Sequence, residues 1–325
     1  MVYNIIEKEN CAFAKNSFRA KGGIAMKVIE GKKFPNERDL YAAKDLLLKN
    51  CAFDGEEDGE SALKESSDIK LEECYMNLRY PLWHDERVEL DRVTMTDKCR
   101  AALWYSNDIT IKKSAMLGIK ALRECRNVNI SDTKISSPEF GWKCHGVTLT
   151  GCDIESQYLF FLATDLKLDK VNFTGKYSFQ YVENAEITNS VLDTKDAFWH
   201  CKNVTVRDSI VKGEYLAWYS ENLTFINCKI MGTQPLCYCK GLKLIDCEME
   251  GTDLSFEYSD VDARVKGGIM SVKNPRAGRI ECDYIGKLIC TEDRKYPCEC
   301  EICERSPLDA VNSGCSKDAP CARCN

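Results

Sequence analysis

Histidine is almost missing from this chain: its 325 residues include three, His84, His145 and His200. That leaves little room for an imidazole-rich metal site or for a serine nucleophile served by a histidine base. Long apolar runs are missing too, since no stretch approaches the roughly 18 residues a membrane-spanning helix requires. The N-terminal stretch MVYNIIEKENCAFAKNSFRAKGG has neither the apolar core nor the small-residue cleavage site of a secretory signal. Nor is there an excess of basic charge. Forty-five Lys and Arg against 51 Asp and Glu give a net charge of -6, a surface that repels phosphate backbones. These absences leave a cytoplasmic globular protein with no nucleic-acid partner and no membrane contact.

What is present is cysteine, 20 residues of it, in a chain that is 44% apolar and 30% charged. A short secreted chain with that content would be a disulfide scaffold. Without a signal, and with enough length to build its own core, reduced thiols are expected instead. They form two populations, 13 spread through residue 282 and seven from Cys290 onward.

The chain repeats itself. Rows beginning at Lys44, Ser67, Glu86, Asn107, Arg126, His145, Thr164, Glu183, Lys202, Glu221 and Lys240 align nearly every apolar residue, with a usual spacing of 19. The rows from Lys44, Glu86 and Lys240 run longer, and the first carries the polar insertion GEEDGE, Gly55 to Glu60, which reads as a loop. Position two of each row is usually Asn, Asp or Gly, residues that tolerate left-handed backbone and mark a corner. Positions three and five are aliphatic, as in Val204 and Val206, the alternation of a strand with one buried face. Position eight is small or a thiol, as in Cys51, Ser114, Ser190 and Cys228, and position ten is apolar again.

A unit of two or three short strands that cannot bury its own face, stacked row on row, is a solenoid. Leucine-rich repeats share a Leu-x-Leu-x-x-Cys fragment but want a Leu three residues upstream, where this chain has Ser106, Cys125, Cys144 or Cys201. The second half of each row ends in strand-like aromatic runs rather than a helix. The fold class is therefore all-β: a right-handed, single-stranded parallel β-helix of about 19 residues per coil. At about 4.8 Å per coil the array makes a rod on the order of 50 Å long. The expected organisation is an N-terminal extension and cap over residues 1–43, the β-helix over 44–289, and a cysteine-rich tail over 290–325. The repeat also explains most cysteines. Cys51, Cys74, Cys152, Cys228 and Cys247 at position eight, with Cys125, Cys144, Cys201 and Cys239 at position nineteen, are expected to be inert core packers.

The strings GESALKES (from Gly59), RYPLW (from Arg79), RAALWYS (from Arg100), KDAFW (from Lys195), GEYLAWYS (from Gly213), FEYSDVDA (from Phe256) and SVKNP (from Ser271) occur in this order. Together they resemble a bacterial family known only as a domain of unknown function, over roughly residues 26–289. The resemblance implies a pectin-lyase-like parallel β-helix and supplies no activity. MKVIEGKKF at Met26 reads as a natural start, which would make residues 1–25 an extension.

Two columns could carry function. Every tryptophan falls at position seventeen: Trp83, Trp104, Trp142, Trp199 and Trp218, joined there by Phe161. Position eighteen holds His84, Tyr105, Tyr181, His200, Tyr219 and Tyr238; position sixteen holds Leu82, Leu103, Leu122, Phe160, Phe179 and Phe198. Adjacent strand positions face opposite ways, so one aromatic column is expected outside, as a surface for sugar rings or for a protein partner. Position thirteen is charged, with Glu60, Arg79 and Arg100, then Lys176, Lys195 and Glu214. An exposed ion-pair ladder accounts for these charges; an anion-binding ridge for an acidic sugar is the functional alternative. The expected ligand-binding set is Arg79, Trp83, Arg100, Trp104, Tyr105, Trp199, Trp218 and Tyr219. Lys195, Asp196 and Glu214 are weak catalytic candidates. His84 and His200 share position eighteen about 29 Å apart at the coil spacing, too far to bind one metal.

The tail contains Cys300-x-x-Cys303 and Cys321-x-x-Cys324. Two such turns supply four thiolates in the pattern of paired zinc knuckles, so a structural zinc is expected there, ahead of a metal-free tail or an iron-sulfur cluster, and Cys298 and Cys315 are left to substitute as ligands, join a second metal or pair as a disulfide. The expected function is carbohydrate binding or processing through the aromatic and basic stripe. The alternative is a non-enzymatic scaffold that docks a protein.

Overall fold

The computed structural model describes residues 17–19, 25–55 and 59–305. Among them there is no helix; the chain is an all-β parallel solenoid of about 14 turns. Ten of the eleven rows open on the first residue of a six-residue strand, from Lys44–Lys49 to Glu221–Ile226; the last opens two residues late, with Leu242–Glu250. Equivalent residues pair in parallel between coils, as Lys202 with Glu221, Val204 with Leu223 and Val206 with Phe225. A second strand follows the corner at position seven, from Ala52–Phe53 in the first row to Lys229–Met231 in the tenth.

The stack runs beyond the rows at both ends. Ala25–Glu30 pairs in parallel with Lys44–Lys49, placing Lys27 against Leu46 at the same spacing of 19. Ser17–Arg19 then lies antiparallel on that strand, Phe18 opposite Met26. At the other end Asp260–Lys266, Ala277–Cys282 and Glu301–Glu304 continue the parallel stack. Gly268–Lys273 and Tyr284–Ile289 form a separate two-stranded parallel sheet. Residues 56–58 of the GEEDGE insertion lie outside the described residues.

The core is one continuous cluster filled by columns. Ile69 and Leu71, Val88 and Leu90, and Val204 and Val206 from positions three and five are all buried, as are Met76, Ile154 and Val211 from position ten. Every coil thus contributes apolar area to one shared interior, which no coil could bury alone.

The corners explain the small and thiol columns. Position seven is left-handed in every row, from Asn50 (φ 47°) through Arg92 (φ 53°) and Lys170 (φ 54°) to Asp246 (φ 55°). The next residue turns its side chain inward and handles backbone groups that the strand ladder leaves over. The Ser209 hydroxyl accepts the Ser190 N–H at 3.0 Å and donates to the Arg207 carbonyl at 2.7 Å. The Cys228 thiol donates to the Ile226 and Val206 carbonyls at 3.3 Å. The nine column cysteines are buried and free. Burial pushes the Cys201 thiol up to about 12, with Cys99, Cys237 and Cys282 shifted likewise, so these sulfurs stay protonated and unreactive.

At position two, Asn and Asp stack into side-chain ladders. The Asn184 amide donates to Asp165 at 3.2 Å, Asn203 to Asn184 at 3.2 Å, and Asn222 to Asn203 at 3.1 Å. Their left-handed φ values, 54° to 59°, are those this column's composition predicts.

Candidate functional site

The aromatic corner spans positions thirteen to nineteen, and its backbone breaks the strand rule. In Lys195–His200 the residues Asp196, Phe198 and His200 are all left-handed, with φ of 52°, 61° and 55°. Strict alternation would put positions sixteen and eighteen on one side; instead Phe198 is fully buried, Trp199 half-buried, and the position-eighteen rings lie outermost. Tyr105, Tyr181 and Tyr219 are 40%, 44% and 47% exposed. A bulky residue in the left-handed region costs about 1–2 kcal/mol. The conformation aims the N–H at the next coil, where Tyr181 donates to Trp199, His200 to Trp218 and Tyr219 to Cys237. Ring stacking adds a second offset to that strain.

The rings lie in files. Trp83 stacks on Trp104 at 5.1 Å and 4°, and Trp199 on Trp218 at 5.5 Å and 7°. Between the two pairs, Arg123 occupies position seventeen with its guanidinium 5.0 Å from the Trp104 ring and 5.4 Å from the Trp142 ring. Outside them Tyr181, His200, Tyr219 and Tyr238 stack in sequence at 4.9, 5.1 and 4.7 Å. His84 and Tyr105 form a shorter file at 5.0 Å. Each indole N–H is used internally: Trp199 donates to the Tyr215 carbonyl at 2.6 Å and Trp218 to that of Gln234 at 2.9 Å. Where position seventeen holds Gln180, its side-chain amide donates to the Asp196 carbonyl at 3.0 Å, taking the indole's part. The faces of Trp199, Trp218, His200 and Tyr219 are therefore largely spent on neighbouring rings, while Tyr105 and Tyr181 each stack on one side. In position eighteen the exposed Tyr105, Tyr181 and Tyr219 have hydroxyls with no hydrogen-bond partner among the described residues.

The charged column forms ion pairs between coils. Arg79 lies 3.4 Å from Glu60, and Lys195 lies 2.8 Å from Glu214 with both side chains about half exposed, 46% and 49%. Glu214 raises the Lys195 ammonium above its ordinary range, so the cation persists. Arg100 rests over the Tyr80 ring at 5.9 Å. Asp196 is 8% exposed, and desolvation raises its carboxyl. Of the three weak catalytic candidates, Lys195 and Glu214 meet each other, while Asp196 packs into the corner.

Reading by columns passed over two residues. Asp85 stands at position nineteen, otherwise a column of small and thiol side chains, and is fully buried. Its Oδ1 accepts the Ser66 N–H at 2.9 Å, its own N–H donates to Ser106 Oγ at 3.0 Å, and Oδ2 has no hydrogen-bond partner among the described residues. Desolvation pushes this carboxyl up to about 8. An acid in a core column was the available signal. The other is Tyr284, the most exposed large hydrophobic residue described, at 61%; it lies past the last recognisable row.

In the tail, Cys300 is buried in the core cluster, and Ile302 packs on the same side. Cys303 faces away, its thiol 3.5 Å from the Glu301 carboxylate. Cys321 and Cys324 lie outside the described residues. No group of three potential metal ligands is found among the described residues, and no helix there is long and apolar enough to cross a membrane.

A family model described as a protein of unknown function, DUF3737, matches residues 27–303. Among solved structures the chain is similar to PfbA, a surface adhesin of Streptococcus pneumoniae, at 9% identity over 79% of this chain and 85% of that one, TM-score 0.39. It is similar to the A-module of the Azotobacter vinelandii mannuronan C-5 epimerase AlgE4, at 9% identity over 85% and 91%, TM-score 0.33. QnrB1, a plasmid-mediated fluoroquinolone resistance protein, shares 14% identity over 73% and 90%, TM-score 0.21. No curated protein matches.

Proposed function

The chain belongs to this family of proteins of unknown function, DUF3737, and from that premise, with no activity to inherit, we propose that it is a non-catalytic carbohydrate-binding rod whose position-eighteen stripe holds an extended glycan. One observation carries the reading: Tyr219 is clamped between His200 and Tyr238, Tyr181 stacks on His200, and among the described residues nothing bonds the hydroxyls of Tyr181 and Tyr219, which stand two coils apart with the His200 ring between them. Rigid rings offer hydrogen bonds at little entropic cost, and a polyhydroxylated chain lying along the rod meets Tyr181, His200 and Tyr219 in successive coils. Catalysis draws no support, because Lys195 and Glu214 neutralise each other and the buried Asp196 carboxyl, which feels both charges, forms no ion pair among the described residues.

Calorimetry against neutral and acidic oligosaccharides tests the reading. Binding that weakens about tenfold in Tyr219→Ala, the loss of roughly one good hydrogen bond, supports it; no binding across the panel removes it. The scaffold alternative rests on a different face, where Val191 and Ile210, 41% and 40% exposed, pair across neighbouring coils. A partner lost in Ile210→Lys but kept in Tyr219→Ala would favour it.

A structural zinc bound by Cys300, Cys303, Cys321 and Cys324 is a separate proposal. It requires Cys300 to leave the core position it occupies beside Ile302. Elemental analysis of the full chain decides: one zinc per molecule supports the site, and none removes it. A cytoplasmic location is likewise proposed, and cell fractionation tests it.

A further inference from the structure

The aromatic files leave few free ring faces, but the two-stranded sheet at the C-terminal end offers one. Tyr284 is in register with Gly268 on the neighbouring parallel strand. A Cβ built on Gly268 would stand 2.2 Å from the Tyr284 Cζ and 2.6 Å from each Cε. Those are the distances of a point directly above Cζ along the ring normal, so the ring lies flat over the glycine. One face covers Gly268, where any side chain would displace it, and with 61% of the residue exposed the other face is open to solvent. This is the opposite of the Trp and Tyr files, whose planes stack along the rod.

The platform belongs to a groove of about 620 Å³, within the size range of small-ligand sites. Met270, 56% exposed, adds an apolar wall. Gly251 and Gly267, at φ of 63° and 78°, leave open space where a Cβ would project. On the rim Glu248 is in register with Lys266 on the next strand, and neither is in an ion pair among the described residues. Glu250 is already held by Lys229 at 2.5 Å. The groove thus combines a flat π face, a rim acceptor and a rim donor. The negative face of an aromatic ring attracts the weakly positive C–H face of a saturated sugar ring, and paired charges of opposite sign suit hydroxyls better than a charged ligand.

We propose that this groove is a binding site for a single pyranose ring, stacked on the outer face of Tyr284 with hydroxyls bonded to Glu248 and Lys266. Glu248 to Gly251 stand at positions nine to twelve of their row, so the site is on a different face from the position-eighteen stripe and does not depend on it.

Saturation-transfer NMR on the full chain, with methyl glucopyranoside, methyl galactopyranoside, N-acetylglucosamine and galacturonate as probes, tests the site. The expected result is transfer to the ring C–H protons of at least one pyranose, with affinity falling tenfold or more in Tyr284→Ala and persisting in Tyr284→Phe. Met270→Glu, which crowds the groove with charge, gives a second route to the same loss should Tyr284→Ala unfold. Transfer that is absent for every probe, or unchanged in Tyr284→Ala and Met270→Glu, overturns the proposal. Tyr219→Ala separates the two readings: a loss confined to that variant supports the stripe and sinks this groove, and a loss confined to Tyr284→Ala does the reverse.

Discussion

Trp199 and Trp218 stand face to face, their ring centroids 5.5 Å apart and their planes 7° from parallel. Each donates its indole N–H to a carbonyl of the following coil, so the pair bridges coils through rings and hydrogen bonds together. The tryptophans act as rungs of the corner, and the ligand-facing part falls to their position-eighteen neighbours. Trp218→Ala is expected to cost about 3 kcal/mol, near the low end for a large aromatic because the ring is only half-buried. Tyr219→Ala should cost under about 1 kcal/mol. Urea unfolding of the two variants checks the contrast, and equal losses would contradict it.

Asp85 should make stability depend on pH in an unusual direction. Its carboxyl keeps the proton up to about 8 when folded, whereas an unfolded aspartate releases it near ~3.9. Between those values the native state holds the extra proton, so this group's contribution is full below the unfolded value and is lost as pH rises toward 8, by about 1.4 kcal/mol per pH unit. Asp85→Ser, which restores the column's usual residue, should flatten the profile and leave the protein more stable at pH 8. Chemical denaturation at pH 5 and pH 8 reads both effects; a wild-type protein equally stable at the two values would refute the account.

Ser209 tests the corner hydrogen bonds. Removing its hydroxyl strands the buried Ser190 N–H, an expected cost of about 1–3 kcal/mol for Ser209→Ala. Ser209→Cys should recover much of that, since cysteine fills the same column at Cys228. If the Ala and Cys variants melt at the same temperature, the polar role assigned to position eight is wrong.

Arg123 is expected to act as a ring substitute. Its guanidinium lies against both Trp104 and Trp142, so Arg123→Ala should lose about 1–2 kcal/mol. Arg123→Lys should fall between, because an ammonium keeps the charge but not the plane. Thermal melts of the two variants give the order, and lysine equalling arginine would mean that flatness does not matter.

The repeat was legible because its buried columns are chemically uniform. Aliphatics at positions three and five, and thiols or hydroxyls at position eight, located ten strand starts to the residue. The corner at position two could be read from Asn, Asp and Gly. Position seven offered the same signal in seven of the eleven rows, as in Asn50, Asp132, Gly151 and Asn189, while Arg92, Lys113 and Lys170 are poor left-handed residues held there by the stack. The same effect hid which aromatic column lies outside: alternation assumes extended backbone, and Phe198 and His200 are not extended. Past Lys240 the spacing drifts, so Tyr284 fell in no column. The first described coil was missed for a different reason, as Ala25–Glu30 pairs in register but is followed by a segment without the aromatic signature.

The antiparallel strand at Ser17–Arg19 has a consequence for how molecules meet. A stack of parallel strands is a template that another chain could extend at either end, the geometry by which fibres grow. Here the first parallel edge is already taken by a three-residue strand running the other way, and the last described one, Glu301–Glu304, is four residues long with a carboxylate at each end. Neither offers a long, uncharged edge to a neighbour. Among the described residues, a fold built by repetition thus ends on edges that work against growth into a filament.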